Sequence, residues 1–150
     1  MTRFSGPQTG KQTSEQIVAT TNRFGEMVNS GQFEQLDEII TPDSIDHDPA
    51  PGQGRGPDGY RAFFTMMRAA FPDLHIEVKH MVADDENVCF AYTLSGTHQG
   101  EFMGFAPTGR AFSVSAAQVG RYEGGRLAER WGSTDELGLL KQLGIEPRQS

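Results

Sequence analysis

The sequence predicts a single α+β domain, with helices on one face of a curved antiparallel sheet. Three observations carry this prediction. Apolar residues recur at helical spacing as far as Phe71, then at a spacing of two from Leu74 onward, and Pro72-Asp73 marks the change. Helices followed by a meander of strands are the α+β pattern. The 150 residues form no repeat and no low-complexity tract, and they suffice for one core without disulfides or metal.

Met1 to Thr13 is polar and contains Gly and Pro, so a disordered tail is expected over 1–13 and a single domain over 14–150. Ser14-Glu15 opens a helix to about Ser30, with Ile17, Thr20 or Thr21, Phe24, Met27 and Val28 on its apolar face and Gly31 as its stop. Phe33 to Ile40 reads as a second short helix, ended by Pro42, and Ser44 to Asp48 as a short strand leading into an ordered Pro/Gly loop. Pro57, at an N1-like position, starts a helix whose stripe is Tyr60, Phe63, Phe64, Met67 and Phe71. In the strand that follows, Ile76, Val78, His80 and Val82 oppose His75, Glu77, Lys79 and Met81. The next strand sets Val88, Phe90, Tyr92, Leu94, Gly96 and His98 against Cys89, Ala91, Thr93 and Ser95. A loop, GEFMGFAPTG, precedes a strand from Arg110 to Tyr122. Gly124-Gly125 then makes a two-residue hairpin into a closing strand and a last helix.

A net charge of −7 argues against nucleic acid as a partner, because neutralising phosphates takes an excess of Lys and Arg. No apolar run approaches membrane-spanning length. The one cysteine, Cys89, has no partner in the chain, which fits a reducing cytoplasm.

The hairpin gives a register for the closing strand. With Gly124-Gly125 as the loop, Tyr122 pairs with Leu127, Gln118 with Trp131, Ala116 with Ser133 and Val114 with Asp135. In an unbroken ladder Gln118, Trp131, Ser133 and Asp135 therefore share one patch, and a bulge would move it to the other face. A carboxyl group half-buried behind a Trp is a candidate general acid/base, since desolvation raises its pKa. The competing reading is that Asp135 N-caps the last helix.

Four segments together resemble a known family: AFPDLHIEV (from Ala70), GTHQGEFMGFAPTG (from Gly96), GRLAERWGSTDELGLLKQLG (from Gly125), and IDHDPAPG with its His47. They are similar to the SnoaL-like polyketide cyclases, or ester cyclases, of the nuclear transport factor 2-like superfamily, from about residue 14 to 144. The resemblance implies a cone-shaped barrel of curved antiparallel sheet, closed by N-terminal helices, with a short C-terminal helix. It also implies a homodimer or homotetramer assembled through the sheet, and no metal or organic cofactor. In the characterised cyclases a carboxylate takes a proton from a polyketide methylene, and the enolate closes a ring by an intramolecular aldol step. The resemblance puts that carboxylate on Asp135. Two departures stand out: Gln118 occupies the position expected for an imidazole, and Arg130 replaces a His that often precedes the Trp. The same fold also hosts tailoring hydroxylases and hydrolases, and fold alone does not decide chemistry.

The expected site therefore has Asp135 as general acid/base, with His47 and Gln118 polarising the substrate carbonyl. Trp131, Ser133, Tyr60, Phe64, Met67, Phe71, Phe102 and Met103 would line a pocket for a flat polycyclic or polyketide-like substrate, and His98 would stand at its rim. Each has a structural alternative. His47 could tie the short strand to the loop, His98 could hydrogen-bond the Gly-rich loop, and the aromatics could be core. Asp46, Asp48, Asp84 and Asp85 read as solvated or turn residues. The four His residues show no HxH or HExxH spacing, so no metal site is expected. No Ser lies in a nucleophile elbow, and the GQGRG loop lacks the βαβ setting of a dinucleotide site.

Overall fold

The computed structural model describes residues 11–146. Thr13 closes a capping box with Gln16, so α1 (Ser14–Ser30) starts where the expected tail ends. Of that tail, residues 1–10 lie outside the described residues. Gln12 is anchored, donating to the Tyr122 carbonyl (2.7 Å) and accepting from Gly125 N–H (2.9 Å). Ile17, Thr21, Met27 and Val28 are buried as the spacing predicts, and Gly31 ends the helix in the left-handed region.

The second helix is not formed as expected. Only a 3-10 turn, Leu36–Glu38, interrupts the chain before β1 (Ile40–Asp46). Phe33, Leu36, Ile39 and Ile40 are all buried, so the apolar spacing was real, but one turn places them all. α2 (Gly56–Ala70) then begins with Pro at N1/N2.

β2 (His75–Ala83), β3 (Asn87–Thr97), β4 (Ala111–Glu123) and β5 (Arg126–Thr134) pair antiparallel in sequence, and β1 adds parallel to β5. The order is β1-β5-β4-β3-β2. The sheet is curved and open, with β1 and β2 at its edges and helices packed against it, as the expected α+β fold requires; the parallel β1 makes it mixed rather than wholly antiparallel. α1 packs on β2 and β3, α2 on β1, and α3 (Glu136–Leu143) on β4. Gly124 and Gly125 both take positive φ, as a two-residue hairpin requires.

Two bulges correct the predicted registers. In β2 the ladder slips at Lys79, so Ile76 and Met81 face in while His80 and Val82 are exposed. In β5 Tyr122 pairs with Leu127 as expected, but Ala128 is extra and Arg121 pairs with Glu129. Beyond it Gly120 meets Arg130, Val119 meets Trp131, Gln118 meets Gly132 and Ala117 meets Ser133. The inner face of β5 therefore carries Arg130, and the outer face carries Trp131 and Ser133.

Ile17, Leu36, Ile40, Phe71, Leu74, Leu127 and Leu143 are among the fully buried apolar anchors between helices and sheet. Each such side chain contributes about 1.5–3 kcal/mol by leaving water.

Candidate functional site: a buried charge cluster on the inner face

β1 and β5 run parallel side by side, which brings Asp46 opposite Arg130. The Arg130 side chain is 16% exposed and that of Asp46 only 7%. Arg130 Nη1 donates to both Asp46 oxygens, at 3.0 Å to Oδ1 and 3.2 Å to Oδ2, and its Nε donates to Gln118 Oε1 at 2.8 Å. Asp46 Oδ1 also accepts from Asp48 N–H at 3.0 Å, and Oδ2 from the Gln53 amide at 3.1 Å. Among the described residues Asp46 and Glu129 are the only acids that are not exposed, and they stand on opposite sides of the sheet.

A guanidinium offers five N–H donors. Arg130 uses Nε and Nη1, and Nη2 has no hydrogen-bond partner among the described residues. Burial disfavours its charge, but Asp46, then Tyr92 and Tyr60, more than offset this, and its pKa lies above the ordinary value.

Tyr60, buried on α2, faces the same region. Its hydroxyl and the Oγ of Ser44, two residues before Asp46 on β1, are buried without a hydrogen bond of normal geometry. Burial holds the Tyr60 phenol well above its usual 10.0. The Asp46 charge adds to this, while Arg130 and the Ser44 hydroxyl draw it back. The phenol is therefore a proton donor at neutral pH. Buried polar groups normally find partners, so these two hydroxyls near the Asp46–Arg130 pair mark a candidate place for a polar ligand atom.

The expected site residues divide between the two sides. Gln118 is inward and holds Arg130. Tyr60, Met67 and Phe71 are buried, Phe64 is half-buried, and half-buried Phe102 packs on Phe71 with ring centroids 5.0 Å apart. His98 is fully buried rather than at a rim. Its Nδ1 accepts from Thr108 N–H (3.2 Å) and contacts the Thr108 hydroxyl (3.0 Å), while Nε2 has no partner. It pins the Gly-rich loop, as its structural alternative required.

Trp131, Ser133 and Asp135 do not join that interior. Trp131 is 38% exposed on the outer face, stacked on His47 with centroids 4.6 Å apart. His47 Nε2 bonds Glu129 Oε1 at 2.8 Å, and Arg121 Nε donates to Glu129 Oε2 at 2.6 Å. These contacts, His47 first, hold the Glu129 carboxyl below its ordinary range. Ser133 is exposed, and Met103 is exposed at the tip of the 99–109 loop. Asp135 is exposed and caps α3, its Oδ1 accepting from Gly138 N–H at 2.8 Å. The single patch of Gln118, Trp131, Ser133 and Asp135 is thus undone by the bulge at Ala128.

Sequence reasoning missed Asp46, Ser44 and Arg130. The alternation Ser44-Ile45-Asp46 was a usable signal, since it puts the hydroxyl and carboxylate on one face of an apolar-flanked strand. Arg130 was visible only as a departure from a family pattern. Among the described residues no group of three or more His, Cys, Asp or Glu could hold a metal ion, and no helix is long and apolar enough to cross a membrane.

Comparison with known proteins agrees with this architecture. The nogalonic acid methyl ester cyclase of Streptomyces nogalater is 29% identical over 120 residues, covering 77% of this chain and 88% of that protein. The structure of TsrD from Streptomyces laurentii superposes with a TM-score of 0.80 at 28% identity, covering 88% of this chain and 97% of that one. IdmH from Streptomyces antibioticus gives a TM-score of 0.76 at 33% identity, covering 87% and 99%. Residues 19–143 match the family description "SnoaL-like polyketide cyclase". The chain belongs to the SnoaL-like polyketide cyclase family.

Proposed function

We propose that the protein is a cofactor-independent cyclase-type enzyme acting on a polycyclic aromatic or polyketide-like substrate. Its reacting end would be the Asp46–Arg130 cluster on the inner face. Membership of a cyclase family supports cyclase-type catalysis. The observation that carries the finer reading is the buried Asp46–Arg130 pair, whose Nη2 makes no hydrogen bond among the described residues, in the region that the buried Tyr60 hydroxyl also faces. Two donors fixed before the substrate arrives are what a developing enolate oxygen needs.

In this reading Asp46 Oδ2 takes a proton from an activated methylene of the substrate. Oδ2 is the more loosely held oxygen, with contacts of 3.1 and 3.2 Å against 3.0 Å for both at Oδ1. The enolate oxygen rests on Arg130 Nη2–H and Tyr60 O–H. The enolate carbon attacks a carbonyl of the same molecule, the new C–C bond closes the ring, and Asp46 returns the proton to the alkoxide. Gln118 holds the guanidinium rather than the substrate, while Phe64, Met67 and Phe71 give the apolar wall. Incubation in deuterated water with a polyketide methyl ester tests this: deuterium should enter the methylene of recovered substrate as enolate formation reverses, and the product should be an isomer of the substrate or its dehydrated form. A product carrying an added oxygen from dioxygen or water would make the protein a hydroxylase or hydrolase. Saturable binding without turnover would make it a carrier.

A second reading keeps Asp135 as general acid/base with His47 assisting, as the resemblance implies. It is favoured by the occupancy of both Asp46 oxygens.

Assembly belongs to the same proposal. Ile45, Val82, Val119 and Trp131 are apolar and exposed on the outer sheet face, where a second copy would cover them in a homodimer or homotetramer. Sedimentation should give a dimer or tetramer mass, and Val119→Asp should lower it. A reducing cytoplasmic setting fits Cys89, a free exposed thiol.

A further inference from the structure

Gly132 sits opposite Gln118 on the inner face, two residues beyond Arg130. Its φ is not in the left-handed region, so the backbone there does not call for glycine. The space does. A Cβ at this position would lie 2.3 Å from Arg130 Nη2, 2.6 Å from its Cζ and 3.0 Å from its Nη1. The atoms in the way are the far end of a flexible side chain, so the clash is relieved by moving the guanidinium. The group that would have to move is the one that bonds Gln118 and both Asp46 oxygens. Its displacement would leave a 7%-exposed carboxylate without its cation.

We propose that Gly132 is the positioning residue of this site: its missing side chain is the seat of the Arg130 guanidinium, and it holds that guanidinium in the orientation that bonds Gln118 and Asp46. Any side chain at 132 converts the site from one with an oriented guanidinium to one without. The backbone N–H of Gly132 meanwhile donates to Asp48 Oδ2 at 2.9 Å, a bond that a substitution need not remove. The part of this inference that concerns turnover rests on Arg130 as the enolate-binding group; the part that concerns seating does not.

A double-mutant cycle over Gly132→Ala and Arg130→Lys tests it, read first by thermal melting. Lysine keeps a charge beside Asp46 but has no planar group reaching toward 132. Gly132→Ala should lower Tm by about 5 °C in the Arg130 protein and by under about 1 °C in the Arg130→Lys background. The slowly exchanging Arg130 Nε–H resonance, held by Gln118, should vanish in Gly132→Ala. Folding of the double variant where Gly132→Ala alone fails to fold would equally support the seat. Equal Tm losses in both backgrounds, failure of both to fold, or an unchanged Arg130 resonance would overturn it. Turnover is scored separately. The expected loss in kcat for Gly132→Ala is about 100-fold with KM little changed, the size seen for losing one oriented donor. Coupling in the melts together with undiminished kcat would leave the seat standing and remove Arg130 from catalysis.

Discussion

At the scale of single residues, the protonation of buried groups separates the interior from the surface. Burial holds both the Tyr60 and Tyr122 phenols above their usual 10.0, and in Tyr122 the hydrogen bond shared with the Thr21 hydroxyl only partly offsets this. Above pH 10.0 the unfolded chain loses phenolic protons that the folded chain retains. The unfolded state then binds fewer protons, so stability falls as pH rises. The contribution is fully present below the unfolded value and is lost progressively toward the folded one. Urea midpoints should therefore decline between about pH 9.5 and 11, and Tyr60→Phe should flatten that decline. Midpoints with the same slope in Tyr60→Phe would show that the phenol is not shielded.

At the scale of elements, Asp135 and Gly59 make opposite predictions about where function lies. Asp135→Ala removes the α3 cap and should cost about 1 kcal/mol of stability, while leaving turnover nearly unchanged. Gly59→Ala adds a Cβ that would sit 2.0 Å from the Gly54 carbonyl oxygen, inside the loop whose Gln53 holds Asp46. It should cost about 1–3 kcal/mol and also lower kcat, because neither backbone can give way cheaply. Chemical denaturation with parallel initial rates would check both. These elements also show what the chain reveals by itself. α1, α2, the Gly124-Gly125 hairpin and the inward set of β3 follow from spacing, caps and turn residues. The bulges at Lys79 and Ala128 do not. An extra residue leaves no mark in Leu127-Ala128-Glu129-Arg130-Trp131: unbroken alternation sets Leu127 and Trp131 on one face against Ala128 and Arg130, so the pattern itself argues for a strand without a bulge. The choice is made by the partner strand: Tyr122 must face in beside Leu127, and Gly120, next on that face and opposite Arg130, leaves room that Leu127 uses. Hence the fold and the inward placement of Gln118 and Tyr60 were legible, whereas the burial of Arg130 and Asp46 was not.

At the scale of the molecule, the sheet divides two sets of polar residues. On the inner face Asp46, Arg130, Gln118 and Tyr60 are shielded, nearly neutral as a group, and left with free donors. On the outer face His47, Glu129, Arg121 and Trp131 satisfy one another at a surface. Low dielectric strengthens the first set and water screens the second, which is why the proposed catalysis is placed in the interior and the proposed assembly on the exterior. The direct test compares initial rates of ring closure by Arg130→Lys and Asp135→Asn, each confirmed folded by its melting transition. The interior account predicts a kcat loss of about 100-fold or more for Arg130→Lys and a near-native rate for Asp135→Asn. A near-native rate for Arg130→Lys with turnover abolished in Asp135→Asn would contradict it.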